Sequence, residues 1–253
     1  MRPNQTKEQQ YSPARGEILR LFPTTMFRGF MPLDTKQVCD DVRDIVKEVE
    51  EREENTCNNY TTYFIQDIRD KQKQWSWWND FSNVLKDSYI EFITTQYNMT
   101  VRDLNRQDIH LFAWVNRYTK KHWHDTHNHV NALVSGTYYP LAEGKQPIKF
   151  FSPSISADFG TRAEQGNITL DGYEDCEFWG TTGVQSEMRL FPRDGEFLLW
   201  PSHLLHGVGL ADDDAPDDYE RISISFNLDH RNAQDLNECR ENGTPLSYDF
   251  LPK

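Results

Sequence analysis

The feature that most constrains the fold is a series of short strand-like segments in the second half of the chain. From residue 108 onward, stretches rich in β-branched and aromatic side chains alternate with Gly, Pro and Asp, a pattern typical of strands joined by turns. The predicted strands are Ile109–Asn116, His127–Val130, Leu133–Tyr139, Ile148–Phe151, Met188–Phe191, Glu196–Trp200, Leu205–Leu210 and Arg221–Asp229. About eight strands at this spacing predict a mainly β domain, either a jelly roll or a double-sheet barrel.

The first part of the chain predicts helices that pack against this β domain. One helix is expected to begin at Asp34 or Thr35, with Gln37 completing a capping box, and a second is expected to span Asp80–Tyr97. In both segments the apolar residues recur at the spacing of one helical face. These residues are Val38, Val42, Ile45, Val46 and Val49 in the first helix, and Phe81, Val84, Leu85, Tyr89, Phe92 and Ile93 in the second. The tryptophan cluster at 75–78 is expected to pack between helix and sheet.

We expect a flexible tail over residues 1–16 and a single domain over residues 17–253. The domain is expected to comprise a strand with supporting helices (17–107), the β core (108–230) and a C-terminal extension (231–253). The polar, Gly-containing segment Ser152–Glu187 is predicted to be a long loop. Loops of this length often cover a functional site, so we expect this one to form part of a lid.

Charge and composition exclude several classes of function. The chain has 40 acidic and 27 basic residues, a formal net charge of −13, which disfavours general binding to nucleic acids or anionic membranes. No apolar run approaches the roughly 18 residues of a membrane span. Four cysteines without close pairing predict neither a zinc knuckle nor a disulfide scaffold. A cytoplasmic protein with a small-molecule or peptide substrate is expected; the oligomeric state stays open, with a homodimer among the alternatives.

The histidines are concentrated in two short segments. Four of the eight lie between residues 122 and 129, and two more lie at 203 and 206; clustered imidazoles are candidate metal ligands. Residues i and i+2 of a strand point to the same face, so His127 and His129 can reach one ion, and Asp125 shares this parity as an alternative ligand. His206 follows an apolar strand and would supply a third ligand. Histidines that only form hydrogen bonds are the other interpretation.

The strand that begins at Arg221 alternates strictly between polar and apolar residues. Its polar residues Arg221, Ser223, Ser225 and Asn227 share one face, and its apolar residues Ile222, Ile224 and Phe226 share the other. An arginine on the interior polar face needs an anion, because a buried guanidinium without one is costly. That anion is either a structural carboxylate of the protein or the carboxylate of an acid co-substrate, with Ser223 adding a hydrogen bond.

Several short motifs occur in an order that resembles a known family. They are Leu21-Phe22-Pro23-Thr24, Trp114-Val115-Asn116, His127-Asn128-His129, Ser135-Gly136-Thr137-Tyr138-Tyr139, Phe191-Pro192 through Gly195, Trp200-Pro201-Ser202 to His206, and Arg221-Ile222-Ser223-Ile224-Ser225-Phe226-Asn227. Together they resemble a family of 2-oxoglutarate/Fe(II)-dependent oxygenases of bacteria and phages. The resemblance spans about residues 18–230.

The resemblance implies a double-stranded β-helix that binds one Fe(II) and the co-substrate 2-oxoglutarate. It implies His127, His129 and His206 as metal ligands, and Arg221 and Ser223 as the residues that bind the C5 carboxylate of 2-oxoglutarate. It also implies a dioxygenase that uses O2 to hydroxylate its substrate, with release of succinate and CO2.

Two positions depart from the family pattern, and one further residue is a candidate for the site. The wider superfamily has a carboxylate where this chain has His129, and the narrower family tends to have proline where it has Val130. Tyr138 or Tyr139, on the strand after the histidine pair, is a further candidate to bind the co-substrate, and we favour Tyr139; a role in the core is the alternative.

Two other classes of protein fit part of the sequence. A cupin-like metalloenzyme would use the three histidines without 2-oxoglutarate, but such chemistry needs no carboxylate-binding pair like Arg221 and Ser223. A β-sandwich binding protein without enzymatic activity would leave the polar residues of the predicted interior unexplained.

Overall fold

The structure is a computed structural model that describes residues 24–51, 59–97, 106–129, 132–151, 176–181 and 184–230. The predicted tail, the C-terminal extension and Val130 lie outside the described residues. So does the 152–175 part of the predicted lid. The expected division of the chain into one domain therefore stays a prediction.

The described chain forms eleven strands and three α-helices. The helices are α1 (Thr35–Glu51), α2 (Gln66–Gln72) and α3 (Trp78–Tyr97), and a 3-10 turn spans Arg106–Asp108. The strands are β1 (Phe27–Phe30), β2 (Tyr60–Thr61), β3 (His110–Thr119), β4 (His124–His127), β5 (Val134–Leu141), β6 (Ile148–Phe151), β7 (Cys176–Thr181), β8 (Val184–Leu190), β9 (Glu196–Pro201), β10 (His206–Val208) and β11 (Glu220–Asp229). No helix in these segments is long and apolar enough to cross a membrane.

The strands form two antiparallel sheets. The larger sheet has the order β1-β9-β5-β11-β3-β2, and the smaller has the order β4-β10-β6-β8-β7. Successive strands from β3 to β6 alternate between the two sheets, and so do successive strands from β8 to β11. This is the connectivity of a jelly roll, or double-stranded β-helix, so the predicted fold class is confirmed. The topology brings strands that are distant in sequence side by side.

The supporting helices begin close to where the sequence predicts. In α1 the Oδ1 atom of Asp34 accepts hydrogen bonds from the backbone N–H groups of Lys36 (3.0 Å) and Gln37 (3.4 Å). The Gln37 side chain instead donates to Ser76 Oγ at 3.1 Å. The predicted capping box is therefore only half formed, because a contact with the next helical region occupies its glutamine.

The helices bury their predicted faces against the larger sheet. Val38, Val42 and Val49 in α1 and Phe81, Leu85 and Tyr89 in α3 have no exposed surface. Trp77 of the tryptophan cluster is buried and donates its indole N–H to Asp41 Oδ2 at 2.7 Å, which confirms a packing role for that residue.

Strand β11 separates the helix-side core from the interior between the sheets. Ile222, Ile224 and Phe226 belong to the core shared with the helices. Arg221, Ser223 and Ser225 line the space between the two sheets. The predicted alternation is confirmed, and it makes one face of the strand structural and the other available for chemistry.

Two predicted segments have wrong bounds, and two short elements were not predicted. The segment Ser152–Glu187 is not a loop throughout, because β7 and the first part of β8 form a hairpin within it. Strand β4 ends at His127 instead of beginning there. This strand pairs with β10 over His124–His127, so it lies earlier in the chain than predicted. His129 lies beyond its end. The short elements β2 and α2 lack a clear sequence pattern and were not predicted.

Gly136 shows how closely β5 is packed in the middle of the larger sheet. A Cβ atom there would lie 2.4 Å from the Leu198 carbonyl oxygen and 2.4 Å from the ring of Phe226. We expect Gly136→Ala to reduce the free energy of unfolding by about 1–3 kcal/mol or more, as overpacked cores do, measured by urea denaturation. Gly144→Asn is the control: its Cβ has nothing within 4 Å, and Asn tolerates the left-handed backbone of that turn. Equal stability of the two variants would contradict this expectation.

Candidate active site

Three histidines converge between the two sheets. Nitrogen atoms of His127, His129 and His206, one from each ring, lie within 4.8 Å of one another. His127 and His206 are direct partners in the register of β4 and β10. His129, just beyond β4, is held by a backbone hydrogen bond of 2.9 Å from its N–H to the carbonyl of Ser202. The three rings could therefore bind one metal ion together, although His129 is not placed there by strand alternation.

Hydrogen bonds orient two of the three rings. The Nδ1–H of His127 donates to the Asp125 carbonyl at 2.7 Å, and the Nδ1–H of His206 donates to the Leu204 carbonyl at 2.9 Å. A ring that is protonated on Nδ1 keeps a lone pair on Nε2, the atom left for a metal. The third ring, His129, has its Nδ1 3.2 Å from the amide nitrogen Nδ2 of Asn227.

Burial favours the neutral form of these histidines. It is the largest cause that lowers the pKa of His129 to about 3 and the pKa of His206 well below its ordinary value, with neighbouring imidazoles adding to the effect. Burial also lowers the pKa of His127. Neutral imidazole is the form that binds a metal ion, so no proton has to be removed near neutral pH.

Asp125 contributes its backbone to the site rather than its carboxylate. Its side chain is exposed, and its Oδ1 accepts a hydrogen bond of 3.3 Å from the indole N–H of Trp123. The triad of imidazole nitrogens does not include it. Of the two residues predicted as candidates for the second ligand, the geometry thus favours His129 over Asp125.

Arg221 is buried, and none of the described residues forms an ion pair with it. It is 1% exposed, and within the described part of the chain its Nε and Nη1 atoms have no hydrogen-bond partner. Its guanidinium carbon lies 5.1 Å from the ring centre of Tyr118 and 5.0 Å from that of Tyr139. Aromatic faces stabilise a cation only partly, and no described carboxylate pairs with Arg221. An external anion would satisfy this group.

Two further buried donors face the same interior. Tyr139 Oη and Trp200 Nε1 lack hydrogen-bond partners within the described residues, and both residues line the cavity that also contains the histidines and Arg221. Burial raises the pKa of Tyr139 to about 12, so its hydroxyl stays protonated and able to donate.

The structure separates the roles of Tyr138 and Tyr139 and adds Trp200, to which the sequence assigned no functional role. Tyr138 belongs to the helix-side core and contacts Phe81, so Tyr139 is the tyrosine of the cavity. Trp200 was predicted only as part of an apolar strand. Its indole N–H becomes a functional candidate only in the structure, where it is buried without a hydrogen-bond partner among the described residues.

The donor set fits a metal ion and a dicarboxylate, but the interior is narrow. The cavity between the histidines and Arg221 has a volume of about 30 Å³.

A second cavity of about 260 Å³ lies on the other side of the histidine pair. It is lined by His124, His127 and His129 together with Asn59, Thr61, Tyr63, Phe64, Trp114, Asn116 and Asn128. Aromatic rings and amides thus predominate in its wall, and no charged side chain of the described residues lines it. A molecule bound there would lie directly beside the imidazole rings.

Comparison with known proteins identifies the segment that carries the site. Residues 112–227 match the family model described as "Putative 2OG-Fe(II) oxygenase". The match includes all three histidines and Arg221. No curated protein matches the chain.

Solved structures with related folds have low sequence identity. A Pseudomonas putida prolyl-4-hydroxylase is 11% identical over 82% of this chain and 94% of its own, with a TM-score of 0.48. HygX from Streptomyces hygroscopicus, with nickel and 2-oxoglutarate bound, is 14% identical over 81% and 83%, with a TM-score of 0.45. SnoK, a non-heme alpha ketoglutarate dependent carbocyclase from nogalamycin biosynthesis, is 12% identical over 86% of each chain, with a TM-score of 0.45.

We expect His206→Ala to lose Fe(II) binding, because two imidazoles at the end of a strand hold a labile divalent ion poorly. Anaerobic titration of the protein with Fe(II) measures the affinity. His203→Ala is the matched control, since His203 lies in the same turn with an exposed side chain. Full iron occupancy in His206→Ala would contradict the ligand assignment.

Proposed function

We propose that this protein is a 2-oxoglutarate/Fe(II)-dependent oxygenase that hydroxylates a small-molecule or peptide substrate; the match of residues 112–227 to the model of that family supports this. In this reaction one oxygen atom of O2 enters the substrate, and the other enters the succinate formed, with CO2, from 2-oxoglutarate. The observation that carries the proposal is Arg221, a buried guanidinium without a counterion among the described residues, in the same cavity as three convergent histidines.

His127, His129 and His206 are the residues that would hold the metal. When bound, Fe(II) supplies the redox chemistry by which O2 oxidises the co-substrate and the substrate. The protein's own contribution is to present three neutral nitrogen donors and to exclude bulk water from the space around them. Two of these donors are oriented by the backbone carbonyls of Asp125 and Leu204.

Arg221 would bind the C5 carboxylate of 2-oxoglutarate through its guanidinium, whose Nε and Nη1 atoms lack a described hydrogen-bond partner. A guanidinium can donate two parallel hydrogen bonds to a carboxylate. Ser223, the next residue on the same face of β11, would add a hydroxyl donor. Tyr139 and Trp200 would supply two more donors, since Tyr139 Oη and Trp200 Nε1 have no hydrogen-bond partner among the described residues.

The 260 Å³ cavity beside His127 and His129 is the proposed substrate site. Its aromatic and amide wall favours an uncharged group with a flat apolar face and hydrogen-bonding edges. A substrate bound there would place its oxidised carbon next to the metal ligands. The acidic character of the whole chain supports a target other than a nucleic acid.

A metalloenzyme that uses the three histidines without 2-oxoglutarate is the alternative. The three-nitrogen ligand set fits it equally well. Arg221 favours the oxygenase, because an unpaired buried cation has no role in a site that takes no anion.

We expect Arg221→Met to retain Fe(II) binding but to weaken 2-oxoglutarate binding by about 30-fold to several-thousand-fold. Losing a charge-assisted bidentate pair typically costs about 2–5 kcal/mol, and about 1.4 kcal/mol corresponds to a factor of ten. Arg221→Lys should recover part of the affinity, because an ammonium cannot reproduce the planar fork. Calorimetric titration and iron-dependent succinate formation measure these effects.

The melting temperature without ligand separates this role from a structural one. Removing an unpaired buried charge should leave the stability of Arg221→Met equal to or above that of the wild type. A stable Arg221→Met protein with wild-type affinity for 2-oxoglutarate would refute the oxygenase proposal in this form. A wild-type protein that binds Fe(II) but forms no succinate would favour the metalloenzyme without 2-oxoglutarate.

We expect Tyr139→Phe and Trp200→Phe each to raise the KM for 2-oxoglutarate, because each removes one donor from the cavity. The loss of one hydrogen bond to a charged group corresponds to about 1.5–3 kcal/mol. Tyr138→Phe is the matched control: it makes the same chemical change at the neighbouring residue, in the helix-side core. The proposal for these donors fails if all three variants have the wild-type KM.

A further inference from the structure

The side chain of Asn227 lies against the one histidine of the triad whose Nδ1 does not face a backbone carbonyl. Asn227 is 5% exposed, and its Nδ2 atom lies 3.2 Å from Nδ1 of His129. On its other side, its Oδ1 atom lies 2.8 Å from Oγ of Ser135, which in turn lies 2.9 Å from Oγ of Ser202. A buried chain of polar atoms therefore runs from the imidazole of His129 across the larger sheet.

A side-chain amide can donate a hydrogen bond to the imidazole or accept one from it, whereas a backbone carbonyl can only accept one. The carbonyls that face His127 and His206 only accept, so each of those rings carries its proton on Nδ1 and keeps Nε2 free. The Asn227 amide accepts through Oδ1 and donates through Nδ2. Rotation of the amide by half a turn exchanges these two atoms within the same volume.

The orientation of this amide determines which nitrogen of His129 is protonated. With Nδ2 toward the ring, Nδ1 must accept, and the neutral imidazole then carries its proton on Nε2. Nδ1 is already occupied by Asn227, so no lone pair is left for a metal ion. With Oδ1 toward the ring, Nδ1–H donates and Nε2 is free, as in His127 and His206.

Ser135 and Ser202 accommodate both orientations, because a hydroxyl can donate and accept. When Oδ1 of Asn227 faces Ser135, Ser202 donates to Ser135 and Ser135 donates to the amide. When Nδ2 faces Ser135, the amide donates to Ser135 and Ser135 donates to Ser202. All members of the network keep a partner in both states. The backbone bond from His129 to the Ser202 carbonyl holds the histidine in place throughout.

We propose that Asn227 is a positioning residue that selects the tautomer of His129, and so determines whether position 129 provides a metal ligand. The proposal rests on the ligand set given above. A carboxylate at position 129, as in the wider superfamily, would need no such selection, because both of its oxygens can bind a metal. In this chain the histidine at that position needs an acceptor at its Nδ1 in order to bind a metal, and Asn227 supplies one when its amide turns Oδ1 toward the ring, the reverse of the orientation in the structure.

The test uses the full-length protein with Zn(II) as a diamagnetic probe. Asn227→Leu removes the acceptor, and we expect Zn(II) affinity to fall by about 10- to 100-fold, as for other residues that orient metal-bound histidines. Asn227→Asp offers only acceptors and should bind Zn(II) at least as tightly as the wild type. Gln72→Leu is the control, because Gln72 is a buried amide that donates to Thr62 Oγ1 at 3.1 Å and lines neither cavity of the site.

Nitrogen-15 spectra of the histidine rings provide a readout that activity does not. We expect His129 to be protonated on Nδ1 in the Zn(II)-loaded wild type and in Asn227→Asp, with or without metal. Wild-type Zn(II) affinity in Asn227→Leu, or weaker binding in Asn227→Asp, would overturn the role of Asn227 while leaving the ligand set intact. If the wild type binds no Zn(II), the ligand set fails and this proposal fails with it. Melting curves establish that each variant is folded, and the Asp variant decides the outcome if the Leu variant is not.

Discussion

The buried guanidinium of Arg221 is the constraint on which the rest of the site depends. A cation with two nitrogen atoms that lack a partner among the described residues is tolerated inside a β domain only when the surrounding structure is stable enough to hold it. That stability comes from the opposite face of the same strand. Ile222, Ile224 and Phe226 join the helices in the main hydrophobic core, so β11 is anchored by one face while its other face stays polar.

The jelly-roll topology explains how distant residues meet around this strand. Antiparallel pairing of β4 with β10 sets His127 directly beside His206. Pairing of β11 with β5 sets Asn227 beside Ser135. Each sheet contributes groups that point into the shared interior, so the metal ligands come mainly from the smaller sheet and the proposed anion-binding groups come from the larger one. The site therefore forms only when both sheets pack together.

Periodicity in the sequence was sufficient to predict the elements with long, regular patterns. The two main helices, the alternation of β11 and the eight core strands follow from local spacing, since each buries a regular face. The predicted bounds of β4 were wrong because pairing with β10 sets them, and the local spacing of residues in the sequence does not show that contact. Strand β7 and the first part of β8 were assigned to a loop because the segment 152–187 as a whole is polar and contains Gly.

The candidate site shows the same limit. Histidines and an arginine are rare enough inside proteins that their clustering indicated function. Trp200 was hidden among apolar residues, and Asn227 was only one of four polar residues on a strand face. Trp200 is distinguished by an indole N–H that has no hydrogen-bond partner among the described residues, and Asn227 is distinguished by its contact with His129. Hydrogen-bond partners are a property of the folded chain. Sequence patterns therefore predicted which residue types converge, while their individual roles required tertiary contacts.

The charges of the interior also link the two ligands to each other. The described residues that line the narrow cavity include no Asp or Glu, so a divalent metal on three neutral imidazoles and the guanidinium of Arg221 would leave the interior strongly positive. A dicarboxylate carries two negative charges and would offset most of this excess in a medium of low dielectric constant. Each ligand should thus favour binding of the other, since either alone leaves charge uncompensated. In an oxygenase with a carboxylate ligand, the protein itself neutralises part of the metal charge. With His129 in that position, the task would pass to the co-substrate, and under the proposed function 2-oxoglutarate would be the principal counterion of this site as well as a reactant.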